Sequence, residues 1–443
     1  MRYYIDLFGC VKNQVDAETM MAVLGRAGWE RSEDSAGADL VIVNSCGFIE
    51  SAKRESINAV LTYRRTYPQK KILLAGCLAQ RYGTELAESL TEADGFFGNA
   101  DLSQAAQAAS AVMEGEGLPG PIEGAATPAP GDRPLLSLPG SAYVKISEGC
   151  NNRCSFCAIP GIRGSLRSRS VPDILTECRR LLSRGVRELC LIGQDLASFG
   201  ADRRAADGKN GGALPDLLEA LSSLDGHFWV RLLYMHPDNF PLPILDLCRR
   251  DGRFLPYFDL PFQHGSTRIL RAMNRRGTAE SYLSLIASIR SALPGAAIRS
   301  TFLLGFPGET EEDFQTLLDF QAQARLDWAG AFVYSREEDT PAYSMSGRVS
   351  RRLGEKRKRI VEERQIPITQ AQMDRFIGRT EDVLVEERID GEEGLYLGRL
   401  PCQAPEVDGA AVISADTVLE PGTFVRSAVF ARAGLDLEVR TVS

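Results

Sequence analysis

A chain of 443 residues is long enough for about three domains, and 44% hydrophobic with 25% charged residues is an ordinary globular composition. No apolar run approaches the ~20 residues that a membrane-spanning helix needs. The start, MRYYIDLFGC, lacks the basic head and apolar stretch of a secretory signal, so the expectation is a cytoplasmic protein, with no membrane partner, whose thiols stay reduced.

The first hundred residues alternate strand and helix. Apolar strands are predicted at Tyr3–Phe8, Leu40–Val43 and Ile72–Ala75, separated by helical patterns at Asp16–Ala27 and Ile49–Tyr63. This βαβ rhythm implies an α/β domain with a parallel sheet, placed at residues 1–116. Each strand is followed by a cysteine: Cys10 in DLFGCVKN, Cys46 in IVNSCGF and Cys77 in LLAGCLA. Loops at the C-terminal ends of parallel strands converge, so three scattered cysteines become one three-thiolate site. The competing reading is three unrelated buried cysteines. Repetition at equivalent positions, each after a small residue (Gly9, Ser45, Gly76), argues against it.

A segment rich in Ala, Gly and Pro follows, read as a linker over 117–134. A second strand–helix alternation then spans 135–366, with strands predicted at Ala142–Ile146, Glu188–Ile192, Trp229–Leu233, Tyr257–Leu260, Ile298–Leu304 and Gly330–Tyr334. Helical patterns include Pro172–Ser183, Leu214–Leu224 and Glu311–Ala324, and 201–213 reads as a surface loop. Six such units suggest a partial (β/α)6 barrel, with its chemistry on the loops after the strands. The loop after the first of them carries Cys150-Asn-Asn-Arg-Cys154-Ser-Phe-Cys157. Three thiolates can hold three irons of a four-iron cluster and leave the fourth open, as a catalytic metal site requires. A closed zinc site would want a fourth ligand, and His227, His236 and His264 are all distant in sequence.

Arg351–Arg364 is basic and helix-like, and mixed charge at helical spacing reads as a solvated connecting helix. A hairpin signal, VLVEERI-DGEEG-LYLGRL, and short strands around Ala411–Ile413 and Phe424–Phe430 predict a small C-terminal β-barrel over 369–437. From Arg379 onward, thirteen acidic residues against six basic ones give −7 of the net −8. The four remaining cysteines, Cys178, Cys190, Cys248 and Cys402, have no ligand spacing and read as small buried hydrophobes.

The motif at Cys150, Cys154 and Cys157 resembles that of the radical S-adenosylmethionine superfamily, and the two three-cysteine sets with a C-terminal barrel resemble its methylthiotransferase family along essentially the whole chain. The resemblance implies two [4Fe-4S] clusters, one on Cys10, Cys46 and Cys77 for sulfur and one on Cys150, Cys154 and Cys157 for S-adenosylmethionine. It also implies cofactor contacts at Gln194 and Asp195, at Gln263 beside His264, and at Gly305 in GFPGET. The C-terminal barrel corresponds to the family's TRAM domain, which presents the macromolecular substrate. A reductant and a sulfur donor are further partners that the chemistry requires.

Two branches of the family compete, one modifying tRNA adenosine and one an aspartate of ribosomal protein S-twelve. An acidic barrel suits a basic protein and disfavours tRNA, although acidity also serves solubility alone. IGQD at Ile192–Asp195, DLPFQH at Asp259–His264, RSTFLLGFPGET at Arg299–Thr310 and APEVDG at Ala404–Gly409 resemble the ribosomal-protein branch, whereas YSREEDTPA at Tyr334–Ala342 does not separate the two. The family commonly has PKN where this chain has VKN after Cys10. A non-catalytic iron–sulfur RNA-binding module is the reading from a different class.

Overall fold

The computed structural model describes residues 1–116, 132–203 and 213–442. The expected linker therefore lies outside the described residues up to 131, as do residues 204–212 of the loop expected at 201–213. The chain packs as two compact units. The first comprises Met1–Leu136, Val144–Glu177 and Ser335–Tyr343, and the second Ser137–Tyr143, Cys178–Tyr334 and Ser344–Ser443.

The first unit is built on β1 (Arg2–Leu7), β2 (Glu30–Arg31), β3 (Leu40–Ser45), β4 (Lys71–Gly76) and β5 (Gly95–Phe97), all parallel in the order β2-β1-β3-β4-β5. The three expected strands are its centre. The edge strands β2 and β5 escaped notice because two or three residues are too short to show a period. Side chains alternate across the buried strands: Leu40, Ile42, Leu73 and Ala75 face one core, while Val41, Val43, Ile72 and Leu74 face the other. Helix α1 (Val11–Arg26) covers the first face with Met20, Met21 and Leu24, and α2 (Glu50–Thr66) covers the second with Val60. Helices leaving β1 and β3 to opposite faces open a crevice between those strands at their C-terminal ends. Helix α3 (Cys77–Ser89) begins directly at the end of β4, and α4 (Ala105–Glu114) packs beside α1 on the first face.

Apart from Val144 and Lys145, which end its first strand and fall in the first unit, the six-stranded sheet lies in the second unit. Its strands are β6 (Ser141–Lys145), β9 (Glu188–Ile192), β10 (Trp229–Leu232), β11 (Phe254–Asp259), β12 (Ala297–Leu304) and β13 (Trp328–Val333), in sequential order from β6 to β13. The short pair β7 (Ser147–Glu148) and β8 (Arg167–Ser168) belongs to the first unit. The sheet does not close, which agrees with the partial barrel expected.

A long helix, Arg351–Met373, packs on β13. It is less solvated than its charges suggested. Gly354, Arg357, Val361, Gln365 and Thr369 form a buried stripe, and the charges pair along the outer face, as in Lys358–Glu362 and Arg359–Glu363.

The C-terminal barrel closes through β14 (Thr380–Arg388), β15 (Leu395–Arg399), β16 (Ala411–Ser414), β18 (Asp436–Thr441) and β17 (Phe424–Ala433). Neighbours are antiparallel except β16 and β18, which run parallel. The barrel docks on the N-terminal ends of the sheet strands. Arg399 reaches Glu188 and Ser141, the first residues of β9 and β6, and the Trp328 indole donates to the Cys402 carbonyl at 2.8 Å. Asp408 accepts from the Tyr257 hydroxyl at 2.6 Å and from the Ala404 N–H at 2.8 Å. The APEVDG segment is thus a docking loop. Cys178, Cys190, Cys248 and Cys402 are all buried, as expected of structural cysteines.

Candidate functional site

The strands that precede Cys10, Cys46 and Cys77 are β1, β3 and β4, which are neighbours in the sheet, ~4.8 Å apart. Their loops therefore end side by side. Cys10 caps α1 and Cys77 is the first residue of α3, so two helix N-termini face this place, where partial positive charge favours thiolates and anionic clusters. Gly9 sits at φ +97°, and a Cβ there would lie 2.9 Å from Cys46 Cβ and 3.2 Å from its Sγ. Only glycine lets the first two loops approach this closely.

Asn13, on the first turn of α1, stitches the three loops together. Its Nδ2 donates to the carbonyls of Phe8 at 3.0 Å and Ser45 at 2.8 Å, and its Oδ1 accepts from the Cys77 thiol at 3.2 Å. Asn44 donates back to the Asn13 carbonyl at 2.7 Å. Cys77 Sγ also accepts from Asn99 Nδ2 at 3.3 Å, and Asn99 stands just past β5, the next strand in the sheet. Cys10 is exposed, Cys46 half-buried and Cys77 buried. Burial pushes the thiols of Cys46 and Cys77 up, the latter to about 12, with Arg163 opposing in both cases.

Arg163 comes from the second cysteine motif. It ends α5 (Ile159–Arg163), the helix that follows Cys157, and Ala158 and Ile162 of that turn pack on Cys77. Its Nη2 donates to Cys77 Sγ at 3.2 Å, Asn13 Oδ1 at 2.6 Å and Asp16 Oδ2 at 2.9 Å, and its Nη1 to Glu148 Oε1 at 3.0 Å. Lys145 bridges Asp16 and Glu148 from the other side. Burial opposes ionisation of Glu148, yet Arg163 and Lys145 hold its carboxyl down at about 2.

Cys150, Cys154 and Cys157 are half-buried in the loop between β7 and α5. The loop is pinned at its base, where Cys150 N–H donates to the Gly164 carbonyl at 3.1 Å and Leu166 N–H to Asn151 Oδ1 at 3.0 Å. Cys157 N–H donates to the Cys154 carbonyl at 3.1 Å, folding the CxxC part into a turn. Ala342 N–H reaches the Ser155 carbonyl at 2.9 Å, while Glu337 of the same segment pairs with Lys53 at 3.0 Å and Arg81 at 2.8 Å. The YSREEDTPA motif therefore ties the second cysteine loop to helices α2 and α3.

The other expected contacts lie in the second unit, past the C-terminal ends of its strands. Gln194 and Asp195 follow β9. The Asp195 carboxylate accepts from the N–H groups of Ala197 and His236, both at 3.0 Å, and orders its own loop. Gln263 follows β11 at φ +69° and bridges to Phe302 of β12. Gly305 follows β12 and donates its N–H to Glu309 Oε2 at 2.7 Å, and Arg357 pairs with the same carboxylate at 2.7 Å. His264 is buried and accepts from Ser266 N–H at 2.8 Å, and burial pushes its pKa down to about 3, so the ring is neutral.

Asn13, Asp16, Asn99, Lys145, Glu148 and Arg163 were not anticipated. Asn99 had little signal, because the strand before it, β5, is only three residues long. The charged four had none, because the pairs that Lys145 and Arg163 make with Asp16 span more than a hundred residues.

Comparison with known proteins places these features. Residues 2–98 match the uncharacterized protein family UPF0004, 144–320 the Radical SAM superfamily and 377–442 the TRAM domain. Among solved structures, the radical S-adenosylmethionine methyltransferase TsrM from Kitasatospora setae, with cobalamin and a [4Fe-4S] cluster bound, has a similar fold: TM-score 0.52 at 16% identity, over 77% of this chain and 76% of that one. The ribosomal protein uS12 methylthiotransferase RimO of Treponema denticola is 46% identical over 99% of this chain and 100% of its own length. That of Pelotomaculum thermopropionicum is 40% identical over 98% of each, and that of Syntrophomonas wolfei 41% over 94% of each. At this identity along nearly its whole length, the chain belongs to the ribosomal protein uS12 methylthiotransferase family of radical S-adenosylmethionine enzymes.

Proposed function

We propose that the enzyme adds a methylthio group to the β-carbon of an aspartate in ribosomal protein uS12, using two [4Fe-4S] clusters and S-adenosylmethionine. The observation that carries this reading is the convergence of Cys10, Cys46 and Cys77 at three adjacent strand ends, in a chain that has a second three-cysteine loop. The first thiol set fits a cluster: three soft donors, two helix N-termini and a cradle that a Cβ at position 9 would fill. The second set, Cys150, Cys154 and Cys157, fits one as well, on a loop clamped at both ends of its turn. Each has only three cysteines, which leaves one iron open for an exchangeable ligand.

When bound, these groups supply the electron, the hydrogen-abstracting radical and the sulfur for transfer. The chain's own residues orient them. Asn13 fixes the distance between the Cys10, Cys46 and Cys77 loops, and Arg163 and Asn99 donate to Cys77. Gln194, Asp195, Gln263 and Gly305 are the proposed S-adenosylmethionine contacts, supported by their common place after parallel strands. Gly305 and Asp195 would act by shaping backbone: Gly305 N–H donates to Glu309 four residues on, and the Asp195 carboxylate accepts from the N–H groups of Ala197 and His236.

The protein substrate is favoured by exposed acidic groups on the C-terminal barrel, including Glu387, Glu392, Glu393, Asp416 and Glu420. They suit a basic ribosomal protein and work against tRNA phosphates. A reductant and a sulfur donor complete the reaction, and the cytoplasm is its place. Among the described residues no helix is long and apolar enough to cross a membrane. Mass spectrometry of uS12 and of tRNA from cells lacking the enzyme tests the reading. Loss of the methylthio group from uS12 is expected, and its loss from tRNA alone would overturn the substrate.

A further inference from the structure

We propose that Arg163 is a positioning residue that couples the two thiol sites and, with Asn99, raises the reduction potential of the cluster on Cys10, Cys46 and Cys77. This rests on the assignment of those cysteines as ligands.

Four charged side chains meet beside Cys77, all of them buried: Asp16, Lys145, Glu148 and Arg163. Two are cationic and two anionic, so the set balances without the sulfur. Arg163 therefore has counter-charges besides the sulfur. Asp16, Glu148 and Asn13 Oδ1 hold its guanidinium at 2.9, 3.0 and 2.6 Å, and Nη2, whose two hydrogens are shared with Asn13 and Asp16, stands 3.2 Å from Sγ. The donor is preorganised, so its effect does not depend on the sulfur recruiting it. Asn99 adds a second, neutral donor at 3.3 Å.

The same network touches both motifs. Asp16 lies six residues after Cys10, Glu148 two before Cys150, and Arg163 six after Cys157. Between Cys157 and Arg163 the chain is the turn of α5, whose Ala158 and Ile162 pack on Cys77. The second cysteine loop thus delivers a charge-assisted hydrogen bond to a ligand of the first. Hydrogen bonds and positive charge at a ligand sulfur stabilise the reduced, more negative cluster and raise its potential.

The test is a redox titration, followed by electron paramagnetic resonance, of full-length protein carrying Cys150→Ala, Cys154→Ala and Cys157→Ala, so that only the first site can give a signal. In this background Arg163→Met is expected to lower the midpoint potential most. Arg163→Lys, which keeps the charge but not the fork of donors, should lower it less, and Asn99→Ala should lower it modestly. If the methionine variant loads no iron, the lysine and alanine variants carry the test. Unchanged potentials in both of these would overturn the proposal. Absence of any cluster in the parent triple variant would instead overturn the assignment of Cys10, Cys46 and Cys77.

Discussion

Arg399 of the C-terminal barrel grips Glu188 at the foot of β9, with Nη2 2.5 Å from Oε2 and Nη1 3.2 Å from Oε1. Arg231 completes the cluster, its Nε 2.7 Å from Glu188 Oε1. Both partners of the Arg399–Glu188 pair are buried, so the pair joins barrel to sheet in a place where an uncompensated charge is costly.

Glu188→Gln should therefore destabilise the protein by about 3–5 kcal/mol, because it leaves two guanidinium groups short of a counter-charge. Urea unfolding at neutral pH reads this directly. Burial works against the ionised form, yet Arg399 and Arg231 hold the Glu188 carboxyl at about 2 against a usual 4.5. A depressed carboxyl contributes stability above its unfolded value and loses it as pH falls through the folded one. Wild type should lose this contribution between about pH 4.5 and 2, and the glutamine variant should have none to lose.

Asp408 has the opposite sign. Burial holds it up at about 6 against a usual 3.8, with Arg299 and the Tyr257 hydroxyl opposing. Its folded form keeps a proton that the unfolded chain has released, so folding weakens as pH rises from about 4 to 6 and stays weaker above. The change is about 3 kcal/mol at most, at 1.36 kcal/mol per pH unit. Asp408→Asn should abolish this slope, so its stability relative to wild type should rise across that window, measured by denaturant midpoints at pH 5 and 7.5.

Gly149→Ala should disable the second cysteine loop selectively. Gly149 sits at φ +71°, and a Cβ there would fall 2.2 Å from the Ser165 carbonyl oxygen, a backbone atom that cannot step aside. The displaced base carries Cys150 with it. Reconstituted protein should hold about half the wild-type iron, with the first site still loaded, as Mössbauer or iron and sulfide analysis would register.

Cys154→Ala and Cys46→Ala should separate the two activities. The first should abolish reductive cleavage of S-adenosylmethionine to 5′-deoxyadenosine. The second should leave cleavage intact and stop sulfur insertion into uS12. A Cys46→Ala enzyme that still inserted sulfur at the normal rate would show that the first thiol set has another purpose.

Much of this was legible because parallel sheets obey local rules. Three apolar runs ending in Cys10, Cys46 and Cys77 needed only the convergence of strand ends to become one site, and β9 and the helix Glu311–Ala324 begin and end where the pattern put them. Asn13 and Arg163 were illegible because their meaning lies in partners 64 and 86 residues away. Charge counting was coarse rather than wrong, because three of the charges it counted sum to a single net negative one. Glu386, Asp408 and Arg399 entered the tally of the C-terminal barrel, yet their side chains are buried in its core and its docking interface. The APEVDG segment, read as a mark of substrate class, owes its shape to holding Tyr257 and Ala404 through Asp408.

The docking of the C-terminal barrel on the strand beginnings sets a ruler. Gln194, Gln263 and Gly305 stand past the opposite ends of the same strands, and β12 alone is eight residues long, about 26 Å. A target that touches the barrel while offering an atom to those loops must reach along the strands, although Asp408 shortens the path by meeting β12 at Arg299. A protruding loop on a large, rigid body meets this requirement, as does an extended segment of about eight residues, whereas a di- or tripeptide can occupy one end or the other but not both.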